Sequence, residues 1–134
     1  MLFGKEHVDR YLATNGEEGH DWANGAPVLI LTTIGRHSGE ARRIPLIYGR
    51  WGNGYLVVGS KGGAPAPPAW LLNLQANPEV TVQVKADRFA AHARTATVTE
   101  KPELWRIMTA IWPDYDAYQA KTERDIPVVV LERQ

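Results

Sequence analysis

The sequence predicts an α+β chain that is mainly β, a barrel of six antiparallel strands flanked by short helices. Three observations carry this. Six β-rich runs are separated by turn formers, helical patterns fall only between or outside those runs, and strictly alternating strand–helix–strand units are absent, which disfavours a doubly wound parallel sheet. At 134 residues the chain has one domain's length, enough to bury roughly two-thirds of its unfolded surface without a metal or disulfide staple. A single domain over 1–134 is expected, with a helix inside residues 1–16.

The elements follow in order. Residues 5–14 place Val8, Tyr11 and Leu12 at helical spacing, and Asn15-Gly16 supplies a stop. This helix reads as a plug for the barrel end, or as a membrane-surface element suited to lipophilic substrates. Val28–Thr33 and Ile44–Tyr48 read as strands joined by Gly35-Arg36-His37-Ser38-Gly39, a hairpin. Asn53-Gly54 turns the chain into a third strand, Tyr55–Gly59, so the first three strands should form a meander. The segment from Lys61 to Pro68 is too rich in Gly and Pro for regular structure, and Pro68 opens a helix over Ala69–Ala76. Strands over Val80–Lys85 and Arg88–Thr97 come next, then helices over Pro102–Trp112 and Tyr115–Thr122. Ile126–Leu131 is the sixth strand.

Composition removes several classes of chemistry. The chain has no cysteine, which excludes thiol nucleophiles and Cys-ligated metals and fits a reducing compartment. His7, His20, His37 and His92 are dispersed, without metal-ligand spacing, so no metal site is expected. No Gly-x-Ser-x-Gly elbow, Gly-x-Gly-x-x-Gly fingerprint or Walker-type loop is present. The charged N-terminus lacks the apolar core of a secretory signal, and no run is long enough to span a membrane, so a cytoplasmic location is expected.

Net charge is zero, which gives no general support for nucleic-acid binding. The charge is segregated, however. From Trp22 to Pro78 the only acidic residue is Glu40, against Arg36, Arg42, Arg43, Arg50 and Lys61. Such a segment is either a solvated basic face or a local anion site.

Two clusters within it hold both serines of the chain: Gly35-Arg36-His37-Ser38-Gly39 with Arg42-Arg43, and Ser60-Lys61-Gly62-Gly63. Glycines let the backbone approach a ligand, hydroxyls donate hydrogen bonds, and Arg or Lys supplies the charge-assisted bonds that phosphate and carboxylate need. Either cluster alone is also ordinary turn chemistry. Together, at the ends of adjacent strands, they read as an anion cradle whose cations should converge on one pocket. Trp70 could pack on a flat heterocycle or serve the core, and Tyr115 and Tyr118, three apart on a short helix, can present both phenols to one site.

The run Leu31-Thr-Thr-Ile-Gly-Arg-His-Ser-Gly39, Arg42 with Pro45-Leu46, Ser60-Lys-Gly-Gly-Ala64, Pro68-Ala-Trp70 with Asn73-Leu74, Ala76-Asn-Pro78, and Tyr118-Gln-Ala-Lys-Thr122 before Ile126-Pro-Val-Val-Val130 resembles the deazaflavin-dependent nitroreductase family. These are F420H2-dependent quinone and nitro reductases with an FMN-binding-like fold. The resemblance implies a six-stranded antiparallel split β-barrel with short flanking helices, holding coenzyme F420. It implies that Arg36, His37, Ser38, Gly39, Arg42 and Arg43 grip the anionic tail, and that Ile44, Pro45, Ser60, Lys61, Gly62, Ala69, Trp70 and Asn73 line the ring and its linker. Tyr115, Tyr118 and Ser60 are the implied catalytic residues, and the implied partner is a small electrophile: a quinone, nitroaromatic or activated alkene.

Three departures from the family pattern stand out: His37 where Lys is usual, Ala66-Pro67 where Lys-His is usual, and Leu71 where an aromatic is usual. The rival readings are an FMN-dependent oxidoreductase on the same barrel, a non-catalytic protein that binds the deazaflavin or a lipophilic ligand, and a structural or partner-binding protein. The spread of cations favours the long tail of F420 over the single phosphate of FMN. Trp51, Trp105 and Trp112 are available for a homodimer interface, and a monomer is equally compatible.

Overall fold

The computed structural model describes residues 1–134. The helices are α1 (Gly4–Thr14), α2 (Ala69–Ala76), α3 (Lys101–Ile111) and α4 (Asp114–Ala120); the strands are β1 (Val28–Ile34), β2 (Ala41–Ile47), β3 (Gly49–Trp51), β4 (Gly54–Val58), β5 (Glu79–Val84), β6 (Asp87–Thr95) and β7 (Val128–Arg133). All pairings are antiparallel, in the order β2-β1-β5-β6-β7-β4-β3. The two edge strands, β2 and β3, are consecutive in the chain and separated only by Tyr48. The sheet therefore curls until its edges meet through one residue, which is the split-barrel closure and leaves little open edge to aggregate.

This geometry corrects two sequence expectations. The sheet has seven strands rather than six, because the segment after Glu40 is pinned by β1 on one side of Tyr48 and by β4 on the other. The expected three-strand meander is accordingly broken: β4 pairs with β3 and β7, not with β2. The Gly/Pro-rich segment after Ser60 also contains one short 3-10 turn, Lys61–Gly63.

Period-two burial explains the continuous apolar runs. Leu29 and Leu31 of β1 enter the barrel interior, while Val28 and Ile30 pack outside against Val8 and Tyr11 of α1. Tyr55 and Val57 of β4, with Val129 and Leu131 of β7, also face inward; Leu56, Val58, Val128 and Val130 face out, beneath Leu104 and Met108 of α3 and Tyr115 of α4. Both faces of these strands are covered, so no polar alternation survives in their sequence. Each fully buried Leu or Val is worth about 1.5–3 kcal/mol. Trp70, Leu71 and Leu74 of α2 complete the interior cluster and set Trp70 at the barrel wall.

Candidate functional site

The β1–β2 loop is closed by backbone bonds from Gly35 N–H to Glu40 O and from Gly39 N–H to Gly35 O, each 2.8 Å. It presents Arg36, His37 and Ser38 to solvent, and β2 continues with exposed Arg42 and Arg43. Ser38 Oγ accepts from the Glu40 N–H (3.1 Å) and from Arg42 Nη2 (3.3 Å). Asn73 reaches the same loop from α2. Its Oδ1 accepts from the Arg36 N–H and guanidinium, and its Nδ2 donates to Thr33 Oγ1. A side-chain amide used in this way positions Arg36 rather than a ligand.

Arg36, His37, Ser38, Arg42, Arg43, Ile44, Ala69, Trp70 and Asn73 line one cleft of about 310 Å³, with no acidic residue among its walls. Glu40 lies 3.5 Å from Arg42, but both side chains are largely exposed. Such a pair is worth little and yields readily to an anionic ligand.

The second cleft, about 410 Å³, is walled by Ile44, Pro45, Ser60, Lys61, Gly62, Trp70, Tyr115 and Tyr118, among others. The two clefts adjoin, sharing Ile44 and Trp70. Twelve of the nineteen residues around the second are hydrophobic, which suits a flat ring more than a sugar or a polyanion.

Lys61 holds a positive φ of +45°, a conformation costing a non-glycine residue about 1–3 kcal/mol. Gly63 is required by close approach, since a Cβ there would fall 2.5 Å from the Tyr118 carbonyl oxygen. That contact sets α4 directly against the Ser60 loop.

Burial, with Tyr118 beside it, raises the Tyr115 phenol well above the ordinary tyrosine range, so it is a neutral donor at physiological pH. Its hydroxyl makes no hydrogen bond within the protein, yet no fully buried polar side-chain atom is left unpaired. The hydroxyl therefore keeps some accessible surface, on a residue that lines the cleft. Tyr118 Oη accepts from Trp112 Nε1 at 3.3 Å and keeps its own proton available. The two phenol rings lie edge to face, 6.0 Å between centroids.

Of the residues that the resemblance implies for catalysis and cofactor binding, Gly39 alone lines neither cleft; its positive φ serves the turn. The cations do not share one pocket as expected. Arg36, Arg42 and Arg43 gather in the first cleft and Lys61 stands in the second, because the two loops lie on opposite sides of Ile44 and Trp70. Leu71 is buried in the barrel core rather than offered to a ligand.

Sequence reasoning missed the far wall of the second cleft. Phe3, His7 and Trp22 line it; Trp22 packs edge to face on Phe3 at 5.6 Å and tilted on Trp112 at 5.7 Å. His7 is held by a 2.7 Å bond to Gly19 O. The aromatic content near the N-terminus was the available signal. Trp112 also lines this cleft, and Trp105 bonds Asp116 at 2.7 Å. No helix is long and apolar enough to cross a membrane.

Comparison with known proteins agrees with this fold. The family described as F420H(2)-dependent quinone reductase matches residues 3–133. An F420H(2)-dependent quinone reductase of Mycobacterium tuberculosis is 40% identical over 131 residues, covering 96% of this chain and 88% of that protein. Among solved structures, a chain described as a domain-swapped dimer superposes with TM-score 0.77 at 35% identity, covering 96% of each chain. An F420-H2 dependent reductase superposes with TM-score 0.74 at 37% identity, covering 79% of this chain and 94% of that one. With the match spanning nearly its whole length, the chain belongs to the F420H(2)-dependent quinone reductase family.

Proposed function

We propose that this protein is an F420H2-dependent reductase that binds the deazaflavin cofactor across the two adjoining clefts and reduces a quinone, nitroaromatic or activated alkene. The observation that carries the reading is the junction at Ile44 and Trp70, where a cleft walled by three arginines meets one that is mostly apolar. A ring with a long anionic tail matches that pairing of environments. When bound in reduced form, the cofactor supplies a hydride.

The chain's own residues then have distinct tasks. Arg36, His37, Ser38, Arg42 and Arg43 would hold the tail, with Asn73 fixing Arg36. Trp70, Ile44 and Pro45 would wall the ring, and Ser60, Lys61 and Gly62 would border its edge. Tyr115 and Tyr118 would donate hydrogen bonds to the substrate oxygen that gains negative charge, in a space from which apolar walls exclude water. The family name favours a quinone among the three substrate classes.

Likeness to a domain-swapped dimer supports a homodimer, and exposed Met1 and Phe3 near the apolar cleft support peripheral membrane contact by a cytoplasmic protein. The test is titration of the protein with F420, followed under anaerobic conditions by F420H2 and a panel of quinones, nitroaromatics and enones. Saturable binding and quinone-dependent oxidation are expected. A protein that purifies yellow with bound flavin, or binds F420 without turnover, would contradict the proposal.

A further inference from the structure

Arg124 lies beyond α4, in the connection to β7, and lines neither cleft. Its guanidinium donates to three backbone carbonyls on the far side of the Ser60 loop: Nε to Ala64 O (2.9 Å), Nη1 to Gly59 O (3.1 Å) and Nη2 to Ser60 O (2.8 Å). The planar fork thus ties the start of the loop to its end. No carboxylate pairs with it, since Arg124 takes part in none of the salt bridges of the chain. An arginine spent wholly on one loop's backbone is there to shape that loop.

Arg124 is itself anchored to α4. Gln119 donates from Nε2 to the Arg124 carbonyl (2.8 Å) and accepts the Ile126 N–H (2.9 Å) on Oε1. Lys121 adds a bond from Nζ to Gly62 O at 3.2 Å, and Gly63 abuts the Tyr118 backbone. The remaining loop carbonyl, Lys61 O, accepts the Ala64 N–H at 3.1 Å. Every carbonyl from Gly59 to Gly62 is therefore engaged, whereas the N–H groups of Ser60, Lys61 and Gly62 make no hydrogen bond within the protein. Ser60 is right-handed helical and Lys61 left-handed, a succession that turns adjacent N–H groups to one side.

We infer that Arg124 is a positioning residue that locks the Ser60–Ala64 loop to α4, fixing the loop's donors at a set distance from the Tyr115 and Tyr118 phenols across the cleft. Resting on the proposed reaction, this assigns to Arg124 the spacing between the wall bordering the cofactor and the wall contacting the oxidant. The conservative change is informative, because a single lysine nitrogen cannot replace a fork of three nitrogens bonded to three separate carbonyls.

The test uses Arg124→Lys and Arg124→Ala in the full chain, with three readouts. Amide hydrogen exchange should quicken at Gly63 and Ala64, the loop amides that are hydrogen-bonded, in both variants and stay unchanged in β4 and β7. The kcat with F420H2 and a quinone should fall at least tenfold in Arg124→Lys. The Kd for F420 should move by less than about threefold, because the tail-binding arginines are untouched. Unchanged exchange at Gly63 and Ala64 would overturn the inference, as would a loss of protection spread through β4 and β7 or a kcat within twofold of the parent. If the parent protein neither binds nor oxidises F420H2, the proposed function falls, and the exchange experiment still decides whether Arg124 locks the loop.

Discussion

Asn73 holds Arg36 twice through one atom, its Oδ1 lying 3.2 Å from the backbone nitrogen and 2.9 Å from the guanidinium nitrogen of that residue. The same amide donates to Thr33, whose side chain is sealed in the protein. A single residue on α2 thus aligns the leading cation of the first cleft. Asn73→Ala should weaken F420 binding about tenfold and leave the Thr33 hydroxyl short of its partner, destabilising the fold by about 1–3 kcal/mol. Fluorescence titration and urea unfolding read the two effects separately.

The Tyr115 hydroxyl has no protein partner to lose. Tyr115→Phe should therefore leave the unfolding midpoint unchanged while lowering kcat by about 10²-fold or more, the scale of one donor to a developing negative charge. F420 affinity should stay within threefold. Tyr118→Phe removes a hydroxyl already bonded to Trp112 and should lower kcat less. Steady-state kinetics beside thermal melts check both.

His37 stands in the arginine-lined cleft and is exposed. His37→Lys adds a permanent charge where an anionic tail is proposed to lie, and should tighten F420 binding by up to about fivefold, the range of a solvated ion pair. The gain should fade as salt is raised. Titration at two ionic strengths measures it.

Away from the clefts, Glu100 accepts both Arg94 Nη atoms, at 2.7 and 3.0 Å, and the Thr97 N–H at 2.9 Å. Arg94 chiefly, then Thr97, holds its pKa down to about 2. A carboxyl depressed on folding stabilises the native state above its unfolded pKa, near 4.3, and that contribution is lost as pH falls toward the folded value. Stability should therefore decline between about pH 5 and 2. Glu100→Gln should remove part of that decline without altering F420 binding, as pH-dependent urea unfolding would show.

Local features of the fold were legible because local chemistry sets them. Pro68 and Asn77-Pro78 bracket α2, and its bounds, Ala69–Ala76, agree with expectation; the turn between Ile34 and Ala41 likewise follows from its glycines. The break at Tyr48 left no local mark, since it arises from partners far along the chain: β1 on one side and β4 on the other. The site divides in the same way. Arg36 and Ser60 announce themselves by residue type within glycine-rich turns, whereas Arg124 looks like a surface cation until its three carbonyl partners, about sixty positions earlier, are seen. Thr33 was hidden for the converse reason, being one hydroxyl in a β-rich run whose partner lies forty positions ahead.

The most direct measurement is the F420 dissociation constant of the parent protein beside that of the Arg36→Ala/Arg42→Ala double variant, each with a melting temperature. The account predicts saturable binding by the parent, a loss of at least thirtyfold in the variant and similar melting temperatures. Equal affinity in the two folded proteins would contradict it, since the arginine-lined cleft would then have no part in holding the cofactor.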